Sequence, residues 1–196
     1  MASLVDTLQA SLKNPEVVRQ ISQQIGADPQ QVQTGIDVGL PLLVSALARN
    51  SSTPEGAQSL SNALAKDHDG SVLNNLPAAV SSASARQDGQ AILGHVLGPQ
   101  QGAVTSTIQQ QSGVNAEALL QMLAPVVLGA LGQQQRQQNL DPSALAGTLQ
   151  GEQQQLQQSQ GDVMSLVTGL LDTNRDGSVV DDVAKLAGQF FGGSGR

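Results

Sequence analysis

The chain contains no cysteine, tryptophan or tyrosine, and only two phenylalanines among its 196 residues. Without cysteine it can form neither disulfide bonds nor a thiolate metal site, and it has no thiol nucleophile. With so few aromatic side chains, its core must consist of Leu, Val, Ile and Ala. Long β-branched runs are also missing, so the sequence favours close-packed helices over a sheet sandwich.

Basic residues are sparse, with nine Lys and Arg against 16 Asp and Glu and a net charge of −7. They lie singly along the chain, so no basic stripe can follow a phosphate backbone. No run approaches the roughly 20 apolar residues of a membrane span. The first residues lack the basic region and apolar run of a signal peptide, so we expect a cytoplasmic protein; secretion without an N-terminal signal is the alternative.

The sequence is rich in helix signals, and the second half repeats those of the first. Polar residues followed by proline, as in Asn14-Pro15 and Asp28-Pro29, are typical of helix starts. The landmarks match in one order: Gly113 with Gly26, Pro125 with Pro41, Asp141-Pro142 with Thr53-Pro54, and RDGSVVDDV from Arg175 with HDGSVLNNL from His68. Such self-similarity indicates a duplicated helical unit whose copies pack together, with kinks at the two prolines.

These observations predict an all-α fold, an irregular multi-helix array of two tandem, pseudo-duplicated modules. We place the first copy at 1–80, a small, polar linker at 81–90, and the second copy at 91–191, before a flexible tail at 192–196. The second copy carries a Gln-rich insertion at 133–160. Part of this insertion is expected to be a long surface helix, because three leucines keep helical spacing: Leu145, Leu149 and Leu156.

Several segments together carry a resemblance to a known family. They are the run ILGHVLGPQQGAVTSTIQQQSGV, its continuation LLQMLAPVVLGALG, the turn HDGSVLNNL and the late segment DTNRDGSVVDDV. In these motifs the chain resembles the YidB-like bacterial family, a domain of unknown function, over nearly its whole length. The resemblance implies an all-helical fold with a homeodomain-like arrangement of helices, and it implies no established activity.

The strongest chemical motif is an EF-hand-like loop at 172–182. Oxygen side chains at loop positions one, three and five, followed by glycine, are typical of a Ca²⁺ loop. The bidentate Glu expected at position twelve is replaced by Val183, so binding should be weak, and a plain Asp-Gly turn is the alternative. The predicted Ca²⁺ ligands are Asp172, Asn174, Asp176, a carbonyl of Ser178 or Val180, and Asp182.

The corresponding turn of the first half has Ala65 at loop position one, and Asn74 and Asn75 replace the two late acids. These changes should abolish tight binding, so we expect a helix-to-helix turn that keeps Gly70 for its geometry.

Two further readings are weaker. The segment VRQISQQIGADPQQVQTGI, from Val18, has the spacing of a helix-turn-helix, but its second helix carries no Lys or Arg. The two histidines, His68 in a turn and His95 in an apolar helix, belong to no catalytic pattern, and His95 is expected at the rim of the core.

We therefore expect a non-enzymatic interaction or assembly protein that binds itself, as a homo-oligomer, or another protein. The alternative is a calcium-binding helical module that uses the loop 172–182. A nucleic-acid-binding regulator is third, and the charge disfavours it. The residues indicate no small-molecule substrate, no catalytic group and no cofactor other than Ca²⁺.

Overall fold

A computed structural model of the chain describes residues 3–159, which consist of helices and turns without a strand. The prediction of an all-α fold is confirmed for this part of the chain. Short 3₁₀ helices occupy Ser71–Asn75 and Gly98–Gln100. The α-helices are α1 (Leu4–Leu12), α2 (Pro15–Ile25), α3 (Pro29–Asn50), α4 (Pro54–Asp67), α5 (Leu76–Ser81), α6 (Ala83–Val96), α7 (Gln101–Ser112), α8 (Ala116–Gln138) and α9 (Pro142–Ser159).

Four of these helices begin with proline directly after a polar residue, as the sequence predicts. The Thr53 hydroxyl accepts a hydrogen bond of 3.1 Å from the Gly56 N–H at the start of α4. The Asp141 carboxylate accepts one of 2.8 Å from the Ala144 N–H at the start of α9. These caps satisfy backbone donors that have no partner within a helix, and so they fix where each helix starts.

Two long helices, α3 and α8, form the centre of the fold. In α3 every residue from Gly35 to Ala48 except Asp37 is buried. In α8 every residue from Leu119 to Gly132 except Gln121 is buried. Both helices continue through an internal proline, Pro41 in α3 and Pro125 in α8.

The shorter helices interlock around this pair. Helix α4 packs against α8 and α9, and α9 packs against α3 and α4, while α2 and α7 each contact both central helices. One hydrophobic cluster, which runs from Val5 to Leu156, therefore contains residues of both predicted modules. The two halves share their core.

The repeated landmarks occupy matching places in this arrangement. Gly26 ends α2 with a φ of 67°, and Gly113 ends α7 with a φ of 75°, both in the left-handed region that glycine adopts without strain. In each half a long proline-containing helix follows the glycine, and a capped proline opens the next helix. These parallels support the predicted duplication, which stays a prediction.

Two segments differ locally from expectation. The stretch 81–90, predicted as a linker, is largely helical: Ser82 caps α6, and Gly89 packs against the backbone of Gln121 in α8. The predicted surface helix within 133–160 exists as α9, but Leu145, Leu149 and Leu156 are buried. A single leucine stripe is enough to bury one face of a helix whose other faces are polar.

Helix α8 is also long and apolar enough to cross a membrane by length and composition alone. The sequence did not predict this. Within α8, 78% of the apolar window is buried inside the protein. The core helix of a soluble protein is buried to a similar degree, so length and composition are weak evidence that α8 crosses a membrane.

Candidate binding cleft

An apolar cleft of about 400 Å³ lies between α4 and α6, with α3 and α8 also contributing to its wall. Its volume falls in the range of small-molecule sites, which are concave and mostly apolar with a few polar groups. The residues that line it are Leu47, Asn50, Gly56, Ser59, Leu60, Ala63, His68, Ile92, His95, Val96 and Leu128.

Both histidines of the chain line this cleft. His95 is exposed on α6, whereas His68 is half-buried just after the end of α4. No hydrogen bond or ion pair within residues 3–159 engages either imidazole. Burial lowers the pKa of His68 below its ordinary value, and the nearby Asp67 and Asp88 oppose that shift. Burial therefore favours the neutral form of the His68 imidazole.

The turn that carries His68 is held firmly against α8. Gly70 has a φ of 87°, and the Asp69 carboxylate accepts a hydrogen bond of 2.9 Å from the Ser71 N–H. Gly132 packs directly on the carbonyl group of His68, where a larger residue would overlap it. These contacts fix the position of His68 at one side of the cleft.

Arg136 of α8 adds a clamp on the same turn. Its guanidinium donates hydrogen bonds to the carbonyl groups of Leu64, Ala65 and Asp69, at 3.2, 3.2 and 2.9 Å. The carbonyl groups of Leu64 and Ala65 belong to the last turn of α4, where carbonyl groups have no N–H partner within the helix. The clamp therefore holds the end of α4 against α8.

Helix α6, on the other side of the cleft from α4, is anchored by Asn50, the last residue of α3. Its amide donates a hydrogen bond of 2.6 Å to the Val96 carbonyl at the end of α6. This bond links the end of α3 to the end of α6, and both of these helix ends line the cleft. The shape of the cleft is therefore set by contacts within the protein.

The predicted site residues fall elsewhere. The loop 172–182, with all six predicted Ca²⁺ ligands, lies outside the described residues. Its first-half counterpart is the turn at Asp69 and Gly70 described above, where the carboxylate of Asp69 serves the turn itself. Among residues 3–159, no group of three or more His, Asp or Glu side chains is placed to hold a metal ion.

The helix-turn-helix pattern corresponds to α2, the turn at Gly26, and α3. Gln30, Gln33 and Thr34 are exposed on the first turns of α3, but from Gly35 onward α3 is the core helix just described. The exposed part has no basic residue, and nearby Lys13 is paired with Asp37 at 2.7 Å. Little of α3 can therefore face a phosphate backbone.

Sequence reasoning missed the cleft. The sequence predicts His68 in a turn and His95 at the rim of the core, and only the packing of α4 and α6 on α8 brings both to one cavity. No sequence signal joins the two histidines, because His68 lies among charged residues in KDHDG and His95 lies among apolar ones in ILGHVLG.

The fold and the cleft define a class: an all-helical domain built around two buried central helices, with a preformed apolar cavity. The chain belongs to a family described as a bacterial protein of unknown function (DUF937), whose model matches residues 6–134. The finer resemblance to YidB-like proteins stays a prediction. No curated protein and no solved structure matches the chain significantly. Every residue that lines the cleft lies within the matched range, whereas the loop 172–182 lies beyond it.

Proposed function

We propose that this protein is a non-enzymatic binding protein that takes a small apolar molecule into the cleft between α4 and α6. The observation that carries the proposal is the cleft itself, with aliphatic walls and a volume of about 400 Å³. Its described lining has two imidazoles and the Ser59 hydroxyl, but within residues 3–159 no hydrogen bond joins an imidazole to that hydroxyl or to a carboxylate, so binding suits it better than catalysis.

The surface around the cleft favours a small ligand over a macromolecule. Exposed residues of α4 next to it include Gln58 and Asn62, and those of α6 include Gln87 and Asp88. Polar side chains therefore neighbour the lining residues along both helices. A stable protein–protein interface needs roughly 800 Å² from each partner, with an apolar centre.

A dye-binding measurement tests this proposal. Nile red, a neutral dye that fluoresces in apolar surroundings, should bind the wild-type protein at one site. Ala63→Phe should weaken binding by about tenfold or more, because the new ring fills space that the ligand needs. Ala63 lines the cleft, whereas Ala65 is exposed on the same helix outside it, so Ala65→Phe is the matched control.

The control should bind the dye like the wild-type protein, and circular dichroism should verify that both variants are folded. Equal binding by the wild-type protein and Ala63→Phe would refute the proposed site.

We also propose self-association, the expectation based on the Gln-rich composition. The exposed glutamines near the end of α8, Gln133, Gln137 and Gln138, give this surface many amide donors and acceptors without charge. Size-exclusion chromatography with light scattering should give a mass above 20.1 kDa, the mass of one chain. A monomer at high concentration would exclude it.

A second candidate function is Ca²⁺ binding by the loop 172–182. It is supported by the strict alternation of Asp172, Asn174 and Asp176 before Gly177. Hard oxygen ligands in this order suit Ca²⁺ better than a softer metal.

Millimolar Ca²⁺ should raise the melting temperature of the full chain by several degrees, and EDTA should reverse the change. A ligand that binds only the folded state stabilises it by about 2.7 kcal/mol at a hundredfold excess over Kd. Asp172→Ala should remove the response, whereas Asp181→Ala, next to the ligand set, should keep it. If the melting temperature is the same in Ca²⁺ and in EDTA, the proposal that the loop 172–182 binds Ca²⁺ is wrong.

A further inference from the structure

The polar groups in the cleft differ in kind from those of the chain as a whole. The protein is acidic, with a net charge of −7, yet within residues 3–159 none of the residues that line the cleft is Asp or Glu. Lys and Arg are absent from the lining as well. The polar lining residues are the two histidines, Asn50 and Ser59. Each of these side chains can donate a hydrogen bond.

The two imidazoles have no hydrogen-bond partner among the described residues. The amide of Asn50 is used by the Val96 carbonyl at 2.6 Å, but the imidazoles of His68 and His95 are not engaged within residues 3–159. An imidazole that is neutral still offers one N–H to an acceptor. Two such donors at one apolar cavity match a ligand with an acceptor group at one end of an apolar chain.

We propose that the ligand is a single-chain carboxylate, a fatty acid, whose hydrocarbon lies along the aliphatic wall while its carboxylate accepts hydrogen bonds from His68 and His95. This inference rests on the proposed binding function of the cleft. A carboxylate buried in apolar surroundings must be hydrogen-bonded, and the exposed position of His95 leaves the head group at the mouth, near water. No Asp or Glu of the described residues lines the cleft itself, and the nearest acidic groups, Asp67 and Asp88, lie beside His68 outside the lining.

The experiment is competition against bound Nile red by three compounds with one chain length: decanoate, decanol and decyltrimethylammonium. Decanoate should displace the dye at concentrations about tenfold or more below those of decanol, since hydrogen bonds to a charged group are stronger than neutral ones. The cation should be the weakest competitor. Nonspecific attraction cannot produce this order, because the net charge of −7 repels the anion.

The double variant His68→Leu, His95→Leu should still bind Nile red but should no longer prefer decanoate over decanol, because leucine has no hydrogen-bond donor. Lys66→Gln is the matched control, because Lys66 is an exposed cation on α4 that does not line the cleft, and it should keep the preference. The inference would be overturned if decanol displaced the dye from the wild-type protein at the same concentration as decanoate. It would also be overturned if the double variant still preferred decanoate. Wild-type protein that fails to bind Nile red would instead overturn the proposed function itself.

Discussion

A fragment that ends at residue 80 is expected to be largely unfolded, although it contains the whole first module predicted from the sequence. In the full chain its central helix α3 packs against α7, α8 and α9, all of which the fragment lacks. Only α1 and α2 would still pack against α3, so the residues from Gly35 to Ala48 would expose much of the surface that they bury. A short isolated helix without its packing partners is marginal in water.

Circular dichroism during heating compares the fragment with the full chain. The full chain should melt cooperatively, whereas the fragment should have weak helical signal and no transition. A cooperative melt of the fragment would mean that the first module folds by itself, and the shared core would then be unnecessary for its stability.

The second large effect is expected at Gly89, where α6 passes closest to α8. A Cβ added at Gly89 would overlap the carbonyl group of Gln121, which belongs to a helix backbone and cannot move aside alone. Gly89→Ala should therefore lower the free energy of unfolding by about 2 kcal/mol or more, since overpacking forces backbone shifts.

Gly94 in the same helix provides the control, because a Cβ there would meet no atom within 4 Å. Gly94→Ala should raise the free energy of unfolding by up to about 1 kcal/mol, since alanine favours a helix interior over glycine. Urea denaturation of both variants measures the difference. Two equally stable variants would contradict the close approach of α6 and α8.

Local features of the fold could be read from the sequence because neighbouring residues determine them. Proline after a capping side chain sets the starts of α2, α3, α4 and α9, and glycine sets the left-handed ends at Gly26 and Gly113. The depth of burial could not be read in the same way. The Gln-rich sequence of α9 suggested an exposed helix, but burial depends on what the leucine stripe meets across the fold.

The cleft could not be predicted for a related reason. His68 and His95 lie on separate elements, and only the positions of α4 and α6 on α8 place them at one cavity. Those positions depend on close contacts such as that of Gly132 with the His68 carbonyl. The glycines of the segment LGALG indicate that another part of the chain packs closely against them, but the sequence does not show which part.

The most direct test of the binding cleft is NMR of the histidine side chains during titration with decanol. Both histidines of the chain line the cleft, so every imidazole signal reports on it. We predict that both signals shift together and saturate at the same decanol concentration, and that neither shifts in Ala63→Phe. Displacement of Nile red by decanol while both imidazole signals stay unchanged would place binding elsewhere and contradict the account.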